Sequence, residues 1–368
     1  MDAHIRRWSL LFLSLSAPSI LLAAITASYG RSGKASTRQG FTYVIGHELL
    51  QYKIRTNGTL APLKPDVILG CRPESVAVTS NGHFAYIGCT NASMDETGPS
   101  FIIQCRVSPN GVLKQISGNN ASAGSIPSSI TIAPSGKFAY VTTHQGIYQY
   151  RINPDGKLKA LCPTTVSVGG HPGILAIHPN GGFAYATDYK GNAVWQFRIN
   201  SNGVLRTLSP ATIPAGKSPV SVAITPSGLF VYTVNSLDYS VSQYKVTSGG
   251  TLKPLSLPTV RTGKSPSKAV VESSGRFVYV TNAAEDTISQ YRITQNGVLK
   301  PLSPRTIRTG RHPSAITVGP TGRFVYASNY YGNTISQYSI NQNGALAPLK
   351  PATIAAETKP NAIITARQ

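Results

Sequence analysis

Six times in this chain a base or a histidine stands one or two residues ahead of a recurring proline: Arg72, His171, Lys217, Lys264, Arg311 with His312, and Lys359. A second class of loop holds Asp95, Glu96, Asp188, Asp238, Glu285 and Asp286, nearly half of the 13 acids. If both classes share a face, they form an inner cationic ring with an acidic periphery. Such a ring suits a small phosphorylated or carboxylated ligand held by charge-assisted hydrogen bonds. The competing reading is a set of solvated loop charges on a base-rich chain. The sequence carries no Ser-His-Asp signature, Gly-rich phosphate loop or Cys/His metal spacing, so neither cofactor nor metal is expected.

The elements that must position these groups recur with a fixed period. Turn glycines Gly58, Gly111, Gly156, Gly203, Gly250, Gly297 and Gly344 follow one another at 53, 45, 47, 47, 47 and 47 residues. A period in this range marks a repeat architecture whose units cannot bury their apolar surface alone. In the unit 266–310, Pro266 opens the short apolar segment Ala269-Val270-Val271, and Ser274-Gly275 turns the chain into Phe277-Val-Tyr-Val-Thr-Asn282. Ile288–Ile293 alternates in character, and Asn296-Gly297 leads to Val298–Leu302 and on to Ile307. These are four strands, a to d, rich in β-branched and aromatic residues, with no competing helical period.

Four-stranded antiparallel units repeated radially make an all-β propeller. Strand a begins at Pro73, Pro127, Pro172, Pro219, Pro266, Pro313 and Pro360, and the Phe-x-Tyr signature of strand b follows each except the last. Its partners lie at the other end of the chain, in Phe41–Tyr43, Leu50–Ile54 and Leu60–Leu63. Seven blades are therefore predicted over 41–368, closed by pairing of Asn361–Thr365 with the strand that starts at Phe41, which removes the open edges of the ring. The residues of strand a are small at Ser75, Ala77, Ser129, Ser221, Ala223 and Ala315, which places this strand on the crowded axis.

Residues 1–27 read as an export signal: Arg6 and Arg7 precede the apolar run Trp8–Ala24, and small residues follow. A flexible leader fills 28–40. The expected location is periplasmic or secreted, and contact with a membrane is expected only if that segment is uncleaved. The formal charge of +21 raises the question of nucleic acid. The bases are spread through the repeat as at Arg151, Arg198, Lys245 and Arg292, with no dense run, so no specific nucleic-acid partner is expected and the protein reads as a basic monomer. Of the four cysteines, Cys71 and Cys89 make a plausible bridge if the hairpin near Asn81 pairs Val78 with Phe84.

Between strands b and c the connection varies: Asn282 to Gln290 spans eight residues, Cys89 to Gln104 fifteen, Thr143 to Gln149 six. In the six later blades the other connections keep constant length. Variable loops on a rigid scaffold commonly carry function, so the face bearing the b-to-c and d-to-a loops is the candidate.

Phe277-Val-Tyr-Val-Thr-Asn282, Phe324-Val-Tyr-Ala-Ser-Asn329 and Phe84-Ala-Tyr-Ile resemble the Tyr-Val-Thr-Asn type of propeller repeat. With His171-Pro172, His312-Pro313 and the Pro-Ser/Thr-Gly-x-Phe turns, residues 41–368 resemble the lactonase-family propellers, the group containing bacterial 6-phosphogluconolactonase. The resemblance implies a sugar-lactone hydrolase. Hydrolysing members tend to show His-Pro-Arg at the start of a strand a and Asn-Glu at the end of a strand b. Here His171-Pro172 is followed by Gly173, His312-Pro313 by Ser314, and the strand-b ends read Asn235-Ser236, Asn282-Ala283 and Asn329-Tyr330. The resemblance thus points to surrogates: His171 or His312 as base, Arg72 and Arg311 as cations, Glu74 or Glu285 as carboxylate. Lys217, Lys264, Lys359, Asp188, Asn235, Asn282 and Asn329 are the expected ligand contacts. An exported member would act on an unphosphorylated lactone, since phosphorylated sugars are scarce outside the cell. The alternative is a non-catalytic propeller that binds a protein partner or cell-envelope polymer through the same face.

Overall fold

The computed structural model describes residues 39–64, 69–90, 100–169, 172–356 and 359–367. The expected export signal and nearly all of the leader lie outside them, as do His171, Asp95 and Glu96. The described residues form seven antiparallel sheets and no helix. Blade 1 pairs the last strand, Ala362–Arg367, with the first, Gly40–Ile45, so that Ile363 lies opposite Val44 and Ile364 opposite Tyr43. Strand a of blades 2 to 7 is Arg72–Val78, Ser129–Ile132, Pro172–Ile177, Pro219–Ile224, Pro266–Val271 and Pro313–Val318. Seven strands of this class surround one axis, as their small side chains require.

The repeated letters of the sequence turn out to be bonds between blades. The strand-b Tyr donates its hydroxyl to the turn glycine carbonyl of the following blade, as in Tyr43 to Gly111, Tyr232 to Gly297 and Tyr279 to Gly344, each at 2.7 Å. The same bond closes the ring from Tyr326 to Gly58, at 2.6 Å. Burial pushes these phenols well above their ordinary pKa, which keeps them protonated donors. The strand-c Gln is likewise shared. Gln290 accepts Leu346 N–H of the next blade at 2.7 Å, while its Nε2 donates to Pro304 O at 3.0 Å across the bulge in its own strand d. Gln337 repeats the first contact on Leu60 N–H at 2.7 Å, joining blade 7 to blade 1. A fully buried amide is tolerated only with both ends satisfied, and here both are.

The turn glycine has its own reason. Gly297 sits at φ +82°, and a Cβ there would overlap the Phe230 ring of the preceding blade. The replacement Gly297→Ala combines left-handed strain with a displaced core ring, and is expected to lower stability by about 3 kcal/mol. Urea unfolding measures it; a loss below about 1 kcal/mol would remove the packing role assigned to this turn.

Two sequence expectations need correction in detail. Val78 faces Ala85, not Phe84, and that register holds from the turn as far as Ser75, where a bulge before Pro73 shifts it by one residue. Beyond the bulge Pro73 faces Cys89, and the disulfide between Cys71 and Cys89 forms with a Cα–Cα distance of 5.9 Å. In blade 2 the outer strand is split, Leu113–Gln115 and Ala121–Gly124 both pairing with Ser100–Val107, which makes that sheet five-stranded.

Candidate functional site at the channel mouth

The b-to-c and d-to-a loops do share one face, and hydrogen bonds between them show why their residues recur. Asp286 Oδ1 accepts His312 N–H at 2.7 Å, Asn333 Oδ1 accepts Lys359 N–H at 2.9 Å, and Asn192 Oδ1 accepts Ser218 N–H at 2.8 Å. Each acceptor and each acceptor's partner has positive φ, between 23° and 56°. Asp238 Oδ2 accepts Lys217 N–H at 2.6 Å. These carboxyl and amide groups therefore secure the backbone that leads into strand a. The strand-b ends do similar work from below. Asn282 Nδ2 donates to Thr287 and Ser289 hydroxyls, both at 2.9 Å, and Asn329 Nδ2 reaches Thr334 and Ser336 in the same way, at 3.0 and 2.9 Å. Asp188 accepts Gly191 N–H at 2.8 Å and Trp195 Nε1–H at 3.2 Å.

Inside this collar, the strands a enclose a cavity of about 490 Å³. The first residue after each strand-a proline sets the chemistry of its mouth. Ser267, Ser314, Asn361, Glu74 and Ser128 come from five successive blades and form a polar arc, which Gly173 and Val220 complete on the apolar side. Deeper residues such as Ile177, Val222 and Ile364 are aliphatic. Ser267 and Ser314 donate to the carbonyls of Pro313 and Pro360 in the next blade, at 2.8 and 2.7 Å, so these hydroxyls hold the ring together as well as line it.

Two charged groups face this space. Glu74 on blade 2 is 17% exposed and ion-paired with Arg72, Oε1 to Nε at 3.2 Å, while Arg72 remains 62% exposed. Lys268 on blade 6 lies across the axis, and its ammonium makes no ion pair among the described residues. Burial pushes its amine down to about 8. Asn361 Oδ1 is also buried in this wall without a hydrogen-bond partner. The mouth thus combines a carboxylate, a poorly solvated ammonium and an unmatched acceptor.

Residues 42–359 match the family described as the lactonase, seven-bladed β-propeller. The chain belongs to that family. Among solved structures, a candidate 6-phosphogluconolactonase from Bacteroides fragilis superposes with a TM-score of 0.78 at 18% identity, covering 91% of this chain and 100% of the other. The periplasmic gluconolactonase of Pseudomonas aeruginosa gives 0.72 at 18% identity, covering 89% and 99%. A protein from Lactobacillus plantarum gives 0.76 at 17%, covering 89% and 99%. No curated protein matches the chain.

In this lactonase-family propeller, the residues singled out from sequence fall into three places. Glu74 lines the cavity, with Arg72 bound to it. Lys217, Lys264, Arg311 and Lys359 are exposed on the loops around the mouth, outside the cavity wall, and Glu285 is exposed beside Gly263. Asp188, Asn235, Asn282 and Asn329 are buried beneath the loops, where their polar atoms face neighbouring hydroxyls and amides. His312 is half-buried, its ring 4.5 Å from that of Tyr331 and 6.0 Å from that of Tyr330. Sequence reasoning missed Lys268. The signal was present: Ser75, Ser129, Ser221 and Ala315 occupy the equivalent place two residues after the proline, so a lysine there is an outlier. Cys105 has no part in the site; it is buried and its thiol is pushed up to about 12.

Proposed function

We propose that the protein is an exported hydrolase of sugar-type lactones carrying negative charge, acting at the channel mouth. The observation that carries this reading is the presence in one cavity wall of a carboxylate, Glu74, and a half-buried lysine, Lys268. Glu74 accepts a proton from the attacking water, and Arg72 holds that carboxylate in place. Lys268 faces the oxygen on which charge develops as the tetrahedral centre forms; in a poorly solvated site such a charge counts for more than in water. Collapse of that centre breaks the ring C–O bond, the alkoxide takes up the proton, and lactone plus water becomes the hydroxy acid. The exposed Lys217, Lys264, Arg311 and Lys359 draw an anionic substrate toward the opening. Export agrees with the apolar N-terminal sequence and with the periplasmic relative from Pseudomonas aeruginosa, and favours an unphosphorylated substrate.

The test is hydrolysis of gluconolactone and of a uronic-acid lactone by the purified protein and its Glu74→Gln variant. Loss of about 2 to 4 kcal/mol of transition-state stabilisation, at least 30-fold in kcat/KM, is expected for Glu74→Gln. A His171 and His312 double substitution serves as the rival arm: a larger loss there would transfer the role of base to a histidine. Because Lys268 acts as a cation, kcat/KM should decline as pH rises through about 8, and Lys268→Arg should move that limb upward.

The second reading is a binding propeller without catalysis. Tyr189, Leu237, Tyr239 and Tyr331, exposed by 49, 64, 39 and 56%, stand on the b-to-c loops around the same opening. Exposed aromatics beside cations suit a protein partner or an envelope polymer. Absence of hydrolysis in the wild-type protein with any lactone tried would favour it.

A further inference from the structure

The bases dispersed along the sequence are gathered by the fold onto the face opposite the channel mouth. Near the end of strand c, Arg198 lies directly opposite Arg206, Lys245 opposite Lys253, and Arg292 opposite Lys300. Blades 2 and 3 repeat the arrangement with Arg106 opposite Lys114 and Arg151 opposite Lys159. All ten side chains are exposed. In blades 1 and 7 the same places hold Lys53 with Ala61 and Ser339 with Ala347.

Like charges directly opposite on adjacent strands are destabilising, yet five successive blades carry them. In blades 2 to 4 a ring contact accounts for one member of the pair. Arg106, Arg151 and Arg198 lie over the Phe84, Phe138 and Phe183 rings, at 5.1 to 5.4 Å from the centroids. The strand-d bases have no such contact. Only two acids among the described residues occupy this side, and both are engaged by turns: Asp155 accepts Lys157 N–H at 3.0 Å, and Glu272 accepts Ser274 and Arg276 N–H, both at 2.7 Å. In blade 6, Arg276, Arg292 and Lys300 converge on a groove of about 620 Å³.

We infer that this face is a docking surface for an anionic lipid bilayer. Two observations select a bilayer over a linear polyanion. Equivalent positions of a radial repeat lie in one plane perpendicular to the axis, so the five pairs present a flat arc that meets a planar partner without bending it. The described chain also enters the propeller on this side, where Gly40 pairs with Ile54, and the sequence just ahead of it contains the bases Arg31, Lys34 and Arg38. Basic groups near an anionic membrane each strengthen binding, and the gain is screened by salt. The lipid-facing orientation leaves the channel mouth open to solvent.

Co-sedimentation of the full chain with vesicles tests this, using phosphatidylcholine alone against phosphatidylcholine containing phosphatidylglycerol, so that charge-independent association of the apolar segment cancels. Wild-type protein should partition preferentially to the phosphatidylglycerol vesicles, and high salt should remove the preference. The triple variant Arg206→Gln, Lys253→Gln, Lys300→Gln should lower that preference by on the order of 100-fold. These positions are exposed, and removing like-charge neighbours leaves thermal unfolding unchanged or shifted upward, which checks the fold. A control triple of equal charge, Lys190→Gln, Arg261→Gln, Arg308→Gln, alters positions toward the other face and should stay within about twofold of wild type. Equal losses in both triples, or no phosphatidylglycerol preference in the wild type, would overturn the assignment. If the first triple instead lost only retention on DNA or a soluble acidic polysaccharide, a linear polyanion would replace the bilayer.

Discussion

Deleting the chain from Pro360 onward is expected to leave a protein that no longer unfolds in one cooperative step and that associates in solution. The final strand supplies the inner edge of blade 1, pairing with all of Gly40–Ile45. It also fills space between blades: Ile363 is 8% exposed within the cluster of Val44, Ile335 and Tyr326. Thr365 donates to Val318 O at 2.6 Å, and Ser314 to Pro360 O at 2.7 Å, so blade 7 loses partners as well. The lost burial and hydrogen bonds are on the order of 5 kcal/mol or more, comparable to the whole stability of many domains. The deletion also exposes the edge of Gly40–Ile45, which invites pairing between molecules. Size-exclusion chromatography reads the association, and urea unfolding reads the loss of cooperativity. A truncated protein that remains monomeric with an unchanged midpoint would show that the Tyr326 and Gln337 contacts to blade 1 suffice to hold the ring.

Lys268→Met is expected to stabilise the protein and to weaken the lactone hydrolysis proposed for it. With the amine depressed from 10.5 to about 8 by burial, the folded state bears a penalty of up to about 3 kcal/mol for holding it charged. Below about 8 both folded and unfolded chains carry the proton, and the penalty is fully present. From about 8 to 10.5 the unfolded chain binds more protons, so wild-type stability rises with pH and the penalty fades. The advantage of the Met variant should thus be largest near neutral pH and shrink toward pH 10, as read from denaturant unfolding at several pH values. Lactone hydrolysis or anion binding should meanwhile fall by at least 30-fold, about 2 kcal/mol. A variant that is less stable at pH 7 would mean that the ammonium has internal partners; full activity would remove Lys268 from the site.

The architecture was legible in the sequence because it repeats. Gly, Phe, Tyr and Gln recur at fixed offsets since each makes the same bond to the next blade, and a contact made seven times leaves a period. Closure could be read because one proline-led strand lacked a hairpin partner at its own end of the chain. The site was legible only in part. Glu74 and Arg72 could be named from sequence as candidates; Asn282 and Asn329 drew attention as strand-b ends and Asp286 as a b-to-c loop acid, and their neighbours in space are backbone amides and hydroxyls.

Sequence alone determined the blade count, the pairing of the two ends and which face bears the variable loops, because these follow from periodicity and strand order. The tertiary structure alone decided which charges share a cavity and which merely share a face. Glu74 and Lys268 are separated by 194 positions, and only closure of the ring sets them around one axis. Arg198, Lys245 and Arg292, evenly dispersed in the chain, become one basic surface for the same reason: a radial repeat turns a period along the sequence into a plane in space.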